Sequence, residues 1–306
     1  MCTRTVTLGT KGEKVTFDHD NAKAMWVGHP TNSAVGRALA ARAGPRLRTL
    51  TGHRVEALQW DRGSGKWSCR LKQTAPTSGA GSGADTIATA WYDYVVTALS
   101  SVSTVRLLGD SGADGPLAPD VVAAASEVRA NVCWALMVAL NKRIDVPFDG
   151  ALLSRPAPAS GEQQYGAIAW VSRDSSKPGR PAVAGGRGEA WVVHAGPRWS
   201  NERRDMAPAA VAQELLRDFA HLVQVPLSAS DVIHMEAHRW NNAYPLNPRQ
   251  PQAPPQQAQD SGLALGGHFL LRPEMRLGAC GDWCKGPRAA DAYVTGWEAA
   301  HALLQL

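Results

Sequence analysis

Hydrophobic positions along the chain change period several times, and each change marks an element. Ser33 to Arg42 (SAVGRALAAR) carries an apolar stripe at helical spacing, whereas Lys66 to Lys72 (KWSCRLK) alternates with period two, as a half-buried strand does. Arg46 to Leu58 reads as extended, and Trp91 to Leu99 (WYDYVVTAL) as a buried strand. Cys133 to Leu140, Ala167 to Arg173 and Ala190 to His194 (AWVVH) are further strands. Ala207 to Leu222 is an amphipathic helix with Pro208 in its first turn, and a last helix runs from Asp291 to Leu306. Three segments interrupt the pattern: Thr74 to Asp85, Ser175 to Gly188 and the Pro/Gln tract Pro245 to Asp260. Their Gly, Ser and Pro content suits surface insertions, because strand-like runs resume on both sides. Intermixed strands and helices predict an α/β (α+β) fold with a substantial sheet in the middle.

Composition narrows the classes without selecting one. With 306 residues, 44% apolar and 19% charged, the chain is long enough for one large domain or two modest ones with proper cores. The net charge of +5 is scattered, with no basic run longer than two, so no nucleic-acid partner is expected. No apolar stretch approaches the ~18 residues of a membrane span, and the N-terminus has no apolar signal core. Cys2, Cys69, Cys133, Cys280 and Cys284 form an odd, sparse set that points to packing in a reducing compartment rather than a disulfide framework. The expectation is therefore an intracellular, soluble protein. His234 and His238 sit four apart in VIHMEAHRW, which alternates like a strand; no third ligand is suggested, so no metal is expected. No GxSxG, P-loop or SxxK occurs, which removes the common hydrolase and kinase readings.

The informative stretch is Met275 to Leu304. It reads as a short strand, Gly281-Asp282 at its tip, a tight Gly/Pro turn and a helix of small residues. Such a helix start collects unpaired N–H groups and partial positive charge, suited to an anion or an electron-rich ring. A carboxylate at the strand tip is placed to accept from hydroxyls. Simple packing of a small-residue helix on a sheet is the competing reading.

This segment resembles the C-terminal flavin-contacting motif, GDW-x-x-G-x-R-V-E-G-A, of the renalase-like and amine-oxidase FAD enzymes. Among the departures, Ala290 stands for the Glu and Asp291 for the Gly. Trp26 to Ala41, Thr51 to Leu58 and Tyr92 to Ser100 also resemble family segments, as do Cys133 to Met137, Ser175 to Arg180, Trp191 to Ala195 and His238 to Trp240. The resemblance implies FAD as cofactor, held by Arg4, the Val55 backbone, Gly281, Asp282 and the helix start at Arg288, Ala292 and Tyr293. Asp282 would meet the ribityl-phosphate portion, Val55 the adenine, and residues about Arg288 to Tyr293 the pyrimidine end of the ring. It implies an FAD/NAD(P)-binding-type domain from residues 1–100 and 265–306, lacking its first βαβ unit, and a sheet-rich substrate domain from 101–264. It further implies hydride transfer from an amine or dihydropyridine-type substrate to flavin, with reoxidation by dioxygen; it assigns no catalytic residue. An acidic Asp291 near the ring would oppose an anionic reduced flavin. No GxGxxG occurs in the 306 residues, and Gly79 to Ala84 fits only a looser form with no strand before it. Met1 to Arg4 and Phe17 to His19 resemble the segment that follows that loop, so the expectation is a chain truncated at an internal methionine that does not retain FAD. The alternative is a non-catalytic remnant acting as a binding or scaffold module.

Overall fold

The computed structural model describes residues 5–11, 14–18, 26–74, 86–88, 90–112, 115–153, 167–249 and 267–305; of 5–18 and 86–88 only the backbone pairing is described. Arg4, Cys2, His19 and most of the first and third loop-like segments lie outside these residues. Numbered along the chain, the strands are β1 (Thr5–Lys11), β2 (Lys14–Asp18), β3 (His53–Asp61), β4 (Lys66–Gln73), β5 (Thr86–Ala88), β6 (Val95–Ala98), β7 (Ala130–Leu140), β8 (Gly150–Leu153), β9 (Ile168–Arg173), β10 (Glu189–Ala195), β11 (Val232–Pro245), β12 (Leu270–Arg272) and β13 (Leu277–Cys280). The helices are α1 (Ser33–Ala43), α2 (Ser101–Ser111), α3 (Pro119–Ser126), α4 (Pro197–Glu202), α5 (Pro208–Val223) and α6 (Ala289–Leu303). Two compact units share them. The first draws on Met1–Arg48 and Val132–Asn241, the second on Thr49–Asn131 and Asn242–Leu306.

The first unit is built on a seven-stranded sheet in the order β11-β7-β10-β9-β8-β1-β2. β10 pairs antiparallel with both β7 and β9, and β8 antiparallel with β9, while β1 pairs parallel with β8. β10 alternates as its sequence does: Trp191, Val193 and Ala195 are buried, and Val192 and His194 only partly so. β7, apolar along nearly its whole length, is buried almost continuously, as expected of a strand covered on both faces. α5 presents Val211, Ala212, Leu215, Phe219 and Leu222 as one buried stripe and packs on β9 and β10. Its Phe219 ring lies 5.3 Å from the Trp191 ring, which in turn meets Phe148 edge-on at 6.2 Å. Two of the buried indoles are also satisfied as donors: Trp191 Nε1–H to the Glu189 carboxylate and Trp134 Nε1–H to the Arg203 carbonyl, both at 3.0 Å.

The second unit holds two three-stranded sheets. β13 lies between β12, antiparallel, and β6, parallel; β3, β4 and β5 form an antiparallel meander. One core joins the two sheets: Leu58 and Trp67 of the meander pack with Leu277, Ala279 and Trp283, roofed by Leu107, Leu108 and Val121 of α2 and α3. Trp67 is fully buried and donates its indole N–H to the Met275 carbonyl at 2.7 Å. Ser100 caps α2, accepting from the Ser103 N–H at 3.3 Å.

The structure corrects two readings. Trp91 to Leu99 is not a buried strand: the ladder covers only Val95 to Ala98, with one isolated bridge from Tyr92 to Trp67, and Trp91, Tyr92 and Tyr94 are 49, 44 and 40% exposed. Arg46 to Leu58 joins a strand ladder only from His53 onward; Gly44 to Arg46 form a 3-10 turn whose Pro45 sits in its first positions, and Leu47 after it is extended. Cys133, Cys280 and Cys284 are free thiols and buried, and Cys69 is partly buried. No helix of the described residues is long and apolar enough to cross a membrane.

Leu215 is wholly buried against the seven-stranded sheet. Leu215→Ala is expected to destabilise the protein by about 2–5 kcal/mol, the lost transfer energy plus the residual cavity. Urea denaturation followed by tryptophan fluorescence measures it.

Candidate functional site

The candidate site is built where β13 ends. All four residues of this strand are buried, and its chain emerges at Gly281 with φ of 149°, a conformation that favours glycine. A Cβ there would lie 2.8 Å from the Leu99 carbonyl oxygen and 2.9 Å from the Trp283 ring, so side chains are excluded by space as well. The Gly281 N–H donates to Thr295 Oγ1 at 3.0 Å, and that hydroxyl donates to the Ala292 carbonyl at 2.8 Å. Thr295 is fully buried, so α6 fixes the strand tip through one side chain.

Asp282 and Trp283 open a 3-10 turn, Asp282–Cys284. Trp283 is buried; its indole N–H donates to the Leu99 carbonyl at 3.1 Å, and its backbone N–H to the Asp282 carboxylate at 2.8 Å. Burial pushes the Asp282 carboxyl above the usual carboxylate range, against the backbone N–H groups of Trp283 and Asp282 that pull it down. No ion pair to Asp282 is found among the described residues. A half-buried carboxylate with an oxygen to spare, at the carboxyl end of a strand and before a helix start, is suited to hydroxyl donors.

The helix start itself is less open than its sequence suggests. The Arg288 N–H donates to the Asp291 carboxylate at 3.1 Å, so α6 caps its own first turn. A Cβ on Gly286 would lie 2.7 Å from that same carboxylate oxygen. Arg288 and Tyr293 are exposed and Ala292 is half-buried. Gly281, Asp282, Arg288, Ala292 and Tyr293 thus share one corner of the second unit. Val55 lies in the same unit on β3, opposite Leu71 and beside a bulge between Val55 and Ala57, and is 37% exposed. Arg4 lies outside the described residues.

Beside the corner stands a chain of polar groups that the sequence did not reveal. His268 Nδ1 lies 3.2 Å from the Glu298 carboxylate and His268 Nε2 lies 3.2 Å from Lys285 Nζ, while the His268 N–H donates to Glu298 at 2.8 Å. The Arg249 N–H donates to the Trp283 carbonyl at 2.7 Å. Burial pushes the thiols of Cys280 and Cys284 up, so both are protonated packing groups. In the first unit, His194 is pushed down by burial and by the charge of Lys177, as befits a sheet histidine kept neutral. His234 and His238 do lie on a strand, β11, and His234 is 3.7 Å from Glu236. Among the described residues no group of three or more His, Cys, Asp or Glu is arranged to hold a metal ion. The first unit also has a cavity of about 690 Å³ with Trp134, Met206 and Met235 on its apolar side and Glu236, His238 and Arg239 on its polar side.

Against known proteins, the family described as flavin containing amine oxidoreductase matches residues 6–304. Solved structures of similar fold include a candidate protoporphyrinogen oxidase from Exiguobacterium sp. 255-15, with a TM-score of 0.53 at 13% identity over 83% of this chain and 47% of that one. Cyclohexylamine oxidase from Brevibacterium oxydans IH-35A aligns with a TM-score of 0.50 at 13% identity over 90% of this chain and 52% of that one. A reduced UDP-galactopyranose mutase gives 0.53 at 11% identity, over 90% and 50%. At these identities the likeness is one of fold. The chain spans about half the length of the solved structures it matches.

Two substitutions test the corner. Thr295→Val leaves the Gly281 N–H without its acceptor and is expected to cost about 1–3 kcal/mol in denaturant melts. Asp282→Asn should act in the opposite direction at neutral pH. Because folding raises the Asp282 carboxyl above its ordinary 3.8, its contribution is favourable at low pH and is lost as pH rises through the folded value. The variant is therefore expected to melt higher than the parent at pH 7, with the gap closing toward pH 4. A parent that melts higher at pH 7 would contradict the account.

Proposed function

The chain belongs to the flavin-containing amine oxidoreductase family, and from that premise we propose that the β13–α6 corner is where it holds FAD. The observation that carries this is Asp282, a partly desolvated carboxylate with no cationic partner described, locked at a strand tip by Gly281 and Trp283. Its acceptor chemistry fits the ribityl hydroxyls. Ala292 supplies a side thin enough for close approach, Tyr293 an exposed ring to lie against the ligand, and Val55 the backbone of a strand in the same unit. When bound, the flavin supplies two-electron oxidation of a substrate C–H next to nitrogen, with dioxygen as the final acceptor. The residues of the chain contribute binding, orientation and exclusion of water.

A small-molecule substrate is supported by the first unit's 690 Å³ cavity, a volume typical of ligand sites. Its indole and thioether side chains suit an apolar body, and Glu236 suits an ammonium group. Amines, and the dihydropyridines that share a C–H beside nitrogen, are the substrate classes we propose.

Asp291 favours a second reading, a binding or scaffold module without redox activity. Its carboxylate already occupies the N–H of Arg288 and places negative charge in the first turn, where the pyrimidine end of the ring would sit. The donor set therefore fits the ribityl side well and the pyrimidine side poorly.

Titrating FAD into the 306-residue chain and into Asp282→Ala, with flavin fluorescence as readout, decides between these. The resemblance set the expectation that this chain does not retain FAD; the geometry of the corner leads us instead to expect binding. That binding should weaken by roughly 1–3 kcal/mol in the variant, the cost of unpaired polar groups in a buried site. Equal affinity in the two proteins would remove Asp282 from the site. No binding by either would leave the module reading in place of the cofactor one.

A further inference from the structure

The first unit carries a second concavity, of about 340 Å³, in the segment that joins β9 to β10. Arg143, Arg173 and Arg180 line it together with Ser175, Ser176 and a single carboxylate, Glu189; the Ser176 hydroxyl donates to the Arg173 carbonyl at 2.9 Å and Ser175 Oγ accepts from the Ala190 N–H at 3.2 Å. Three guanidiniums facing one carboxylate leave the wall cationic. Asp174 pairs with Arg180 Nε at 3.1 Å but is shared with Lys177 at 2.8 Å, so four cations face two carboxylates and a positive surplus remains.

The hydrogen bonds of this pocket are nearly all assigned. Glu189 accepts from the Ile144 N–H at 3.1 Å and the Trp191 indole at 3.0 Å, and pairs with Arg173 Nη1 at 3.4 Å. Arg173 Nη2 donates to the carbonyls of Ile144 and Val146, and Arg143 to that of Gly186. The loop amides of Gly186, Arg187 and Gly188 turn inward to Val183 and Ala184. Two donors remain buried with no acceptor among the described residues: Arg180 Nη1 and Arg173 Nε. Both belong to side chains on the cavity wall, and that of Arg180 is only 10% exposed. A buried guanidinium N–H without an acceptor is costly, and an absent acceptor of opposite charge is the simplest account of two such donors on one wall.

We propose that this cavity is an anion site for a phosphate group, recognised by Arg180 and Arg173 and flanked by Arg143 and Ser175. Arginine forks match the tetrahedral oxygens of phosphate, and charge-assisted bonds of this kind are the strong ones. The volume lies at the small end of ligand pockets, which suits a phosphate alone or one carrying a small organic group. The site is independent of the flavin reading, since it uses no residue of the β13–α6 corner.

Isothermal titration at matched ionic strength tests it, with inorganic phosphate and with ribose 5-phosphate as probes and chloride as the reference. The 306-residue chain is compared with Arg180→Lys, which keeps a cation beside Asp174 but loses the planar Nη1 donor, and with Arg143→Gln. Binding to the parent that weakens about tenfold or more in either variant supports the site. Tighter binding of ribose 5-phosphate would identify a phosphorylated small molecule as the ligand, and tighter binding of inorganic phosphate the free ion. A parent that binds neither probe, or variants that both bind like the parent, would overturn the proposal. Should Arg180→Lys fail to fold, judged by its melting curve, Arg143→Gln carries the comparison alone.

Discussion

Burial of the Trp283 side chain holds the second unit's corner in register. The indole sits in the core shared by both small sheets, its N–H reaches back to the end of β6 at Leu99, its backbone N–H fixes the Asp282 carboxylate, and its carbonyl receives Arg249. The end of β6, the segment at Arg249 and the tip of β13, far apart in sequence, thereby meet at one residue. Little tolerance is left around it, because the ring also closes off the space where Gly281 would carry a side chain. A smaller residue at 283 would remove the packing and the indole bond to Leu99 together, leaving the backbone bonds to Asp282 and Arg249 without the ring that positions them.

How far the sequence foretold the structure depends on where the information lies. Elements whose period is strong emerge nearly at their expected bounds, as α5, β4 and β10 do, since one buried face dictates them. The aromatic run at Trp91 to Tyr94 misleads because aromatic β-propensity records fit to a half-buried surface, and here only the neighbouring Val95 to Ala98 gain a ladder. At the candidate site, Gly281-Asp282 is legible as a strand tip, whereas Thr295 and Leu99, which hold it, have no local signature. Asp291 did carry a signal: an acidic residue three positions past the helix boundary at Arg288 is the spacing of a reciprocal cap. The His268–Glu298–Lys285 chain joins three separate segments and could be found only in three dimensions.

The two acidic groups of the corner illustrate how position sets the role of like residues. Asp291 spends its charge on the first turn of α6, where the helix dipole rewards it, and is thereby committed to structure. Asp282, nine residues earlier, is destabilised by the burial that makes it a useful acceptor. Sites that bind commonly hold such strained groups, kept in place by surroundings that are stable enough to bear them.

The buried thiols have a practical consequence of a different kind. Cys133, pushed up to about 11 by burial, belongs to the first unit, and Cys280 and Cys284, raised likewise, belong to the second. The thiolate is the reacting form, and in the native fold it is suppressed at all three positions as well as shielded from reagent. Alkylation at these sulfurs therefore proceeds by way of local or global opening. Mass-resolved labelling would then record, from one untagged sample, how often each unit breathes, with Cys133 timing the seven-stranded sheet and Cys280 and Cys284 timing the corner around Trp283.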